Sequence, residues 1–188
     1  DMSTLPKSPF TDVVAGSWYF DAALYASSHN LMLGTSPTEF SPNITMTRGM
    51  LVTVLYRMNG SPSVSGKTPF TDVRTDEWYS AAVLWAYQNG IVTGMSDTTF
   101  APINNVTREQ MATILFRYTK TAAPDKAKAS ADLSGFADAG SVNDWAVDAM
   151  RWAVGQKLIA GITLEQSVYL QPRGNACLLY TSPSPRDS

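Results

Sequence analysis

Residues Phe70 to Arg117, FTDVRTDEWYSAAVLWAYQNGIVTGMSDTTFAPINNVTREQMATILFR, read as one complete unit: an acidic turn, a helix, a glycine-bearing loop and a second helix. Shifted back sixty positions, the stretch aligns without a gap on Phe10 to Arg57, with nineteen of forty-eight positions identical. A third, weaker copy opens at Phe136. A supersecondary unit repeated this way buries its apolar faces against its neighbours, so the repeat bounds the architecture before any other feature.

Working outward, each copy opens on an apolar residue two before an aspartate: Phe10 and Asp12, Phe70 and Asp72, Phe136 and Asp138. The pattern predicts a buried anchor beside a turn, with the carboxylate accepting from backbone N–H groups just downstream. The first helix follows. Trp78, Ala82, Trp85 and Ala86 fall at i, i+4, i+7 and i+8, which is one helix face. Trp18, Ala22, Tyr25 and Ala26 repeat it, as do Trp145, Ala149, Trp152 and Ala153. Asn89-Gly90 predicts a helix stop. In the loop, Gly34, Gly94 and Gly161 recur, and such a position suits positive φ or close packing. Phe40 and Phe100, with Leu170 in their place in the third copy, are expected to pin that loop onto the core. The third loop is three residues longer.

The second helix opens at Thr107-Arg108-Glu109-Gln110, where Thr followed three residues later by Gln is a capping box. Thr47-Arg48-Gly49-Met50 opens its counterpart with a weaker cap. The third copy departs here. After Asn175-Ala176 the chain runs Cys177-Leu178-Leu179-Tyr180 and then TSPSPRDS, with two prolines and no apolar period. Residues 177–188 read as a non-native tail, which leaves the third copy without its second helix and predicts a marginal or aggregation-prone product. The resulting division is a lead-in at 1–9, repeats at 10–58, 70–118 and 136–176, and polar linkers at 59–69 and 119–135. The fold class is all-α, built of helix-loop-helix units.

Bulk properties exclude several functions. The net charge is −2 with no basic run, against nucleic-acid binding. No run of about twenty apolar residues exists for membrane insertion. One cysteine and one histidine leave neither an intrachain disulfide nor the usual donor set of a metal site, and no cofactor is implied. So few cysteines suit a reducing cytosol or a bacterial surface protein alike. The Gly60 to Thr68 stretch looks like a phosphate loop, but five residues separate its glycines where four are needed, and it follows a helix. His29 sits at a helix end and suggests no triad.

The ordered series Phe-Thr-Asp-Val, Trp-Tyr, Gly-Ile-Val-Thr-Gly, Thr-Phe-Ala-Pro and Val-Thr-Arg-Glu within Phe70 to Glu109 resembles the S-layer homology repeat, and the resemblance extends over residues 10–176. It implies three repeats in pseudo-threefold arrangement around a central bundle with one helix from each. It implies an exported protein held on the bacterial cell wall by non-covalent binding to a secondary cell-wall polysaccharide, commonly pyruvylated, in grooves between repeats. The parent protein would carry a cargo domain. By position, the ligand-binding roles fall on Arg48 and Arg108, helped by Trp18, Trp78, Trp145, Asp12, Asp72 and Asp138, while Leu178 stands where the third Arg belongs. Arg at the start of a capped helix sets its donors beside free backbone N–H groups, a pairing suited to a carboxylate.

Each of these residues also has a plainer role. The arginines can pair with Asp12 or Asp72 as a turn-to-helix clamp, the tryptophans can fill the core, and the aspartates can form turns. Two other functions stay open: a self-assembly or protein-interaction segment that binds no glycan, and a glycosidase, which needs two acids facing one cleft.

Overall fold

The computed structural model of this chain describes residues 8–177. Five helices dominate: α1 (Phe20–Ser28), α2 (Arg48–Met58), α3 (Ser80–Gln88), α4 (Arg108–Ala122) and α5 (Val147–Gly155). The fold is mostly helical rather than all-α, because Ile162–Leu164 (β1) and Ser167–Tyr169 (β2) pair as an antiparallel hairpin. The longer third loop folds back on itself there, turning through Glu165 at φ 55°. A Cβ on Gly161 would run into Val168 Cγ1 and lie 2.8 Å from the Phe136 ring, so the hairpin seats on a residue without a side chain.

The first helices begin two residues later than the tryptophan spacing suggests. Ser80 donates its N–H to Glu77 O at 3.0 Å, making a turn that holds Trp78 ahead of α3. Trp85 and Trp152 are buried instead, against the second helix of the preceding copy. Trp85 stands 5.8 Å from Tyr56 of α2, and Trp152 stands 5.4 Å from Phe116 of α4. Helix α4 runs to Ala122, past the expected linker boundary at 119.

The second helices carry the predicted caps. Thr47 Oγ1 accepts from Met50 N, and Thr107 Oγ1 accepts from Gln110 N. The return bond to the N-cap goes to the Gln110 amide oxygen in α4 but to the Met50 sulfur, a weak acceptor, in α2. The next copy closes the rest of each helix start. Arg48 N and Gly49 N donate to Asn104 O and Pro102 O, and Arg108 N and Glu109 N donate to Gly174 O and Pro172 O.

The three copies meet in a closed ring. Val106 N donates to Met46 O, Ala176 N to Val106 O, and Met46 N to Ala176 O, each at 2.9 Å. All three residues are buried, so these bonds form out of water and tie distant segments together. The third copy therefore joins the core up to Cys177. A second clasp joins copies two and three, where buried Glu109 accepts from Asn143 N at 3.1 Å and Asn143 Nδ2 at 2.6 Å. Gly49 holds that place in the first copy, where a Cβ would sit 2.9 Å from Pro102 O. Of the tail expected at 177–188, Cys177 is described, bridged to Thr45, and residues 178–188 lie outside the described residues.

Candidate functional site

The three aspartates reach across their copies rather than capping the turn just downstream. Asp12 accepts from Phe40 N and Ser41 N, Asp72 from Phe100 N and Ala101 N, and Asp138 from Leu170 N and Gln171 N, all at 2.6–2.9 Å. The second residue of each pair is in the left-handed region: Ser41 at φ 59°, Ala101 at 57°, Gln171 at 48°. A carboxylate bridging two consecutive N–H groups holds that unfavourable turn and plants the preceding Phe or Leu in the core. Burial on its own would raise the Asp12 carboxyl, but the N–H groups of Phe40 and Ser41 outweigh it and hold it below the usual value of 3.8.

The arginines reach forward one copy. Buried Arg48 donates from Nε to Phe100 O at 2.7 Å, so the Phe100 peptide is held by Asp72 on its N–H and by Arg48 on its carbonyl. The guanidinium lies over the Phe100 ring at 4.6 Å and donates weakly to Gln110 Oε1 at 3.5 Å. Burial pulls its pKa down to about 10, against an upward push from the Asp72 charge. Arg108 donates from Nε to Leu170 O at 2.8 Å and from Nη2 to Ala160 O at 2.6 Å. The expected clamp therefore exists, and each arginine grips loop carbonyls of the next copy. The N–H groups at the helix starts are all taken, so the free backbone donors expected beside the arginines are not available.

Two grooves follow the repeat. One, of about 380 Å³, is lined by Arg48 of the first copy, Thr93 to Met95, Gln110, Thr113 and Arg117 of the second, and Trp145 of the third. The other, of about 460 Å³, has the corresponding residues sixty positions back, Met32 to Thr35, Met50, Thr53 and Arg57, with Trp78 of the second copy at its edge. Trp78 is 57% exposed and Trp145 54%, so each presents a ring to solvent rather than filling the core. Gly34 and Gly94 shape the floors. A Cβ on Gly94 would lie 2.5 Å from both the Phe70 ring and Ser96 O.

Comparison with known proteins bears on what such grooves serve. The family model of the S-layer homology domain matches residues 9–49 and 69–112. The chain carries S-layer homology repeats. An endoglucanase from Bacillus sp. (strain KSM-635) is 33% identical over 168 residues, which cover 89% of this chain and 17% of that protein. The surface-layer 125 kDa protein of Lysinibacillus sphaericus is 32% identical over 74% of this chain and 11% of its own length. An exoglucanase XynX from Acetivibrio thermocellus is 26% identical over 92% of this chain and 15% of its own. The chain spans less than a fifth of each. The family model marks two repeats; residues 136–176 share with them the aspartate-to-loop bonds.

Within the S-layer homology repeats, the structure brings Arg48 and Trp145 to one groove and places Trp78 on the other. Asp12, Asp72 and Asp138 lie behind the loops, bonded to backbone. Trp18 is half exposed, and its ring lies 5.4 Å from Tyr19. Arg57 and Arg117 were not singled out from sequence, since each reads as a solvated charge near a helix end. Their identity at matched positions was the available signal, and each lines a groove. Among the described residues, no group of three His, Cys, Asp or Glu could hold a metal, and no helix is long and apolar enough to cross a membrane.

Proposed function

We propose that these repeats are a non-catalytic module that anchors an exported protein on the bacterial cell wall by binding a secondary cell-wall polysaccharide, pyruvylated and therefore anionic. The module works as three repeats in pseudo-threefold arrangement, with its ligand in the grooves between them. The single observation that carries this is the setting of Arg48. Its guanidinium is buried and lines a groove bearing no Asp or Glu, and the Asp72 charge, outside direct ion-pair contact, offsets its burial only in part. A buried cation only partly compensated by a nearby charge is costly, and an anionic ligand lowers that cost. Trp145 at the edge offers an aromatic face for a sugar ring. The other candidates act indirectly: Asp72 and Arg48 together fix the Phe100 loop, and Asp12, Asp138 and Arg108 do the same for theirs.

The relatives named as surface-layer proteins and polysaccharide-degrading enzymes, which this chain matches over a small share of their length, support a module that serves different cargo domains. The test is retention on cell-wall sacculi of the chain against Trp145→Ala, chosen because the exposed ring can be removed without opening the core. Loss of retention by a variant with unchanged melting behaviour is the expected result. Undiminished retention would remove this groove from the account.

One observation favours an additional protein-contact role. Tyr25 matches Trp85 and Trp152 in the repeat, yet it is 59% exposed and stacks on His29 at 4.0 Å. Sedimentation of the chain against Tyr25→Ser decides whether that face joins molecules.

A further inference from the structure

The two grooves occupy the same place in their repeats but differ in chemistry. In one, Thr93 and Gln110 stand where the other has Leu33 and Met50, and Arg48 enters from the preceding copy. The residue at the matching place for the other groove is Leu178, outside the described residues. Arg117 donates to Thr93 Oγ1 at 3.3 Å, which keeps its guanidinium beside the groove hydroxyl. Its counterpart Arg57 donates to the backbone carbonyl of Leu31 at 3.1 Å. Met32 and Ile103 add to the apolar side of the second groove, whose polar lining is Arg57 and three threonines.

We propose that the grooves divide recognition: the one holding Arg48, Gln110 and Arg117 takes the anionic substituent of the glycan, and the one holding Leu33, Met50 and Ile103 takes an uncharged, methyl-bearing sugar face. This rests on the glycan-anchoring function above. A carboxylate leaving water needs charged or polar donors for its lone pairs, and two guanidiniums with an amide supply them in the first groove. In the second, the one guanidinium, Arg57, is already turned to the Leu31 carbonyl, and the same carboxylate would face thioether and hydrocarbon where the first groove has Gln110 and Arg48, losing those bonds. A methyl or acetamido group there buries apolar surface instead, with the half-exposed Trp78 ring beside it.

Methionine-methyl NMR reads the grooves separately, Met95 reporting the first and Met32 and Met50 the second. The probes are a methyl glycoside carrying a pyruvate ketal and the same compound with its carboxylate methyl-esterified. The free acid is expected to move the Met95 signal, with an affinity that falls several-fold as salt is raised. Arg117→Gln should weaken that response about tenfold, on the scale of one charge-assisted hydrogen bond, and Arg57→Gln should leave it unchanged. The ester is expected to move Met32 and Met50 at least as strongly as the acid does, independently of salt. The division is overturned if the acid moves Met32 and Met50 with the same salt-sensitive affinity as Met95, or if the two arginine variants lose acid binding equally. It is also overturned, with anchoring intact, if neither probe moves these methyls while the chain is retained on sacculi. Failure of retention itself overturns anchoring and the division together.

Discussion

Replacing Asp72 with alanine tests the device that shapes every groove. The carboxylate accepts from Phe100 N at 2.9 Å and Ala101 N at 2.7 Å, in a partly buried setting. Hydrogen bonds to a charged group are worth about 1.5–3 kcal/mol each, and the two share one acceptor group, so they do not add in full. Ala101 would be left at φ 57° without its support, at a cost of order 1 kcal/mol. Together these predict a loss of about 3–4 kcal/mol. Phe100, fully buried beneath the loop, would lose its register, and Arg48 would lose the fixed carbonyl it donates to. Urea unfolding followed by tryptophan fluorescence measures the loss, with Asp76→Ala as control. Asp76 forms an exposed pair with Arg74, and its removal should change nothing measurable. A loss below about 1 kcal/mol for Asp72→Ala would refute the claim that this carboxylate holds the loop.

Three further outcomes follow from the same geometry. Because the Asp12 carboxyl is held below 3.8, its contribution to stability is present above that value and disappears as pH falls through the lower, folded-state value; acid unfolding of Asp12→Asn should lack that component. Because burial brings Arg48 down to about 10, the anion-binding charge should persist through neutral pH, and retention on sacculi should fall as pH rises through about 10, well before an ordinary arginine would discharge. Gly94→Ala forces a Cβ against the Phe70 ring and Ser96 O at φ 85°, whereas Gly90→Ala meets nothing within 4 Å at φ 68°. Thermal melts should show the first costing about 2 kcal/mol or more and the second about 1 kcal/mol.

The repeat made much of the fold legible. Nineteen identities in forty-eight aligned positions located the helices, the caps at Thr47 and Thr107, and the crowded Gly34 and Gly94. Local patterns do not say which copy a side chain serves. Arg48 begins a helix of the first copy, yet its guanidinium fixes a loop of the second and shares a groove with Trp145 of the third. The aspartates carried the right chemistry at the wrong range, because a turn nearby in sequence and a loop nearby in space ask for the same residue. Trp78 fitted a helical period with Trp85, but the Glu77–Ser80 turn lifts it out of the helix. The β1–β2 hairpin arises from three extra loop residues whose length was visible and whose pairing was not.

The most direct measurement is a pull-down of the chain with purified cell-wall sacculi, before and after their secondary polysaccharide is removed, alongside an Arg48→Lys variant. Lysine keeps the charge but offers one point donor in place of the guanidinium fork that meets both Phe100 O and the groove. The account predicts retention on intact sacculi, weaker retention of Arg48→Lys, and no retention once the polysaccharide is gone. Equal retention on stripped and intact sacculi would contradict it, placing the binding surface outside these grooves and the ligand outside the polysaccharide.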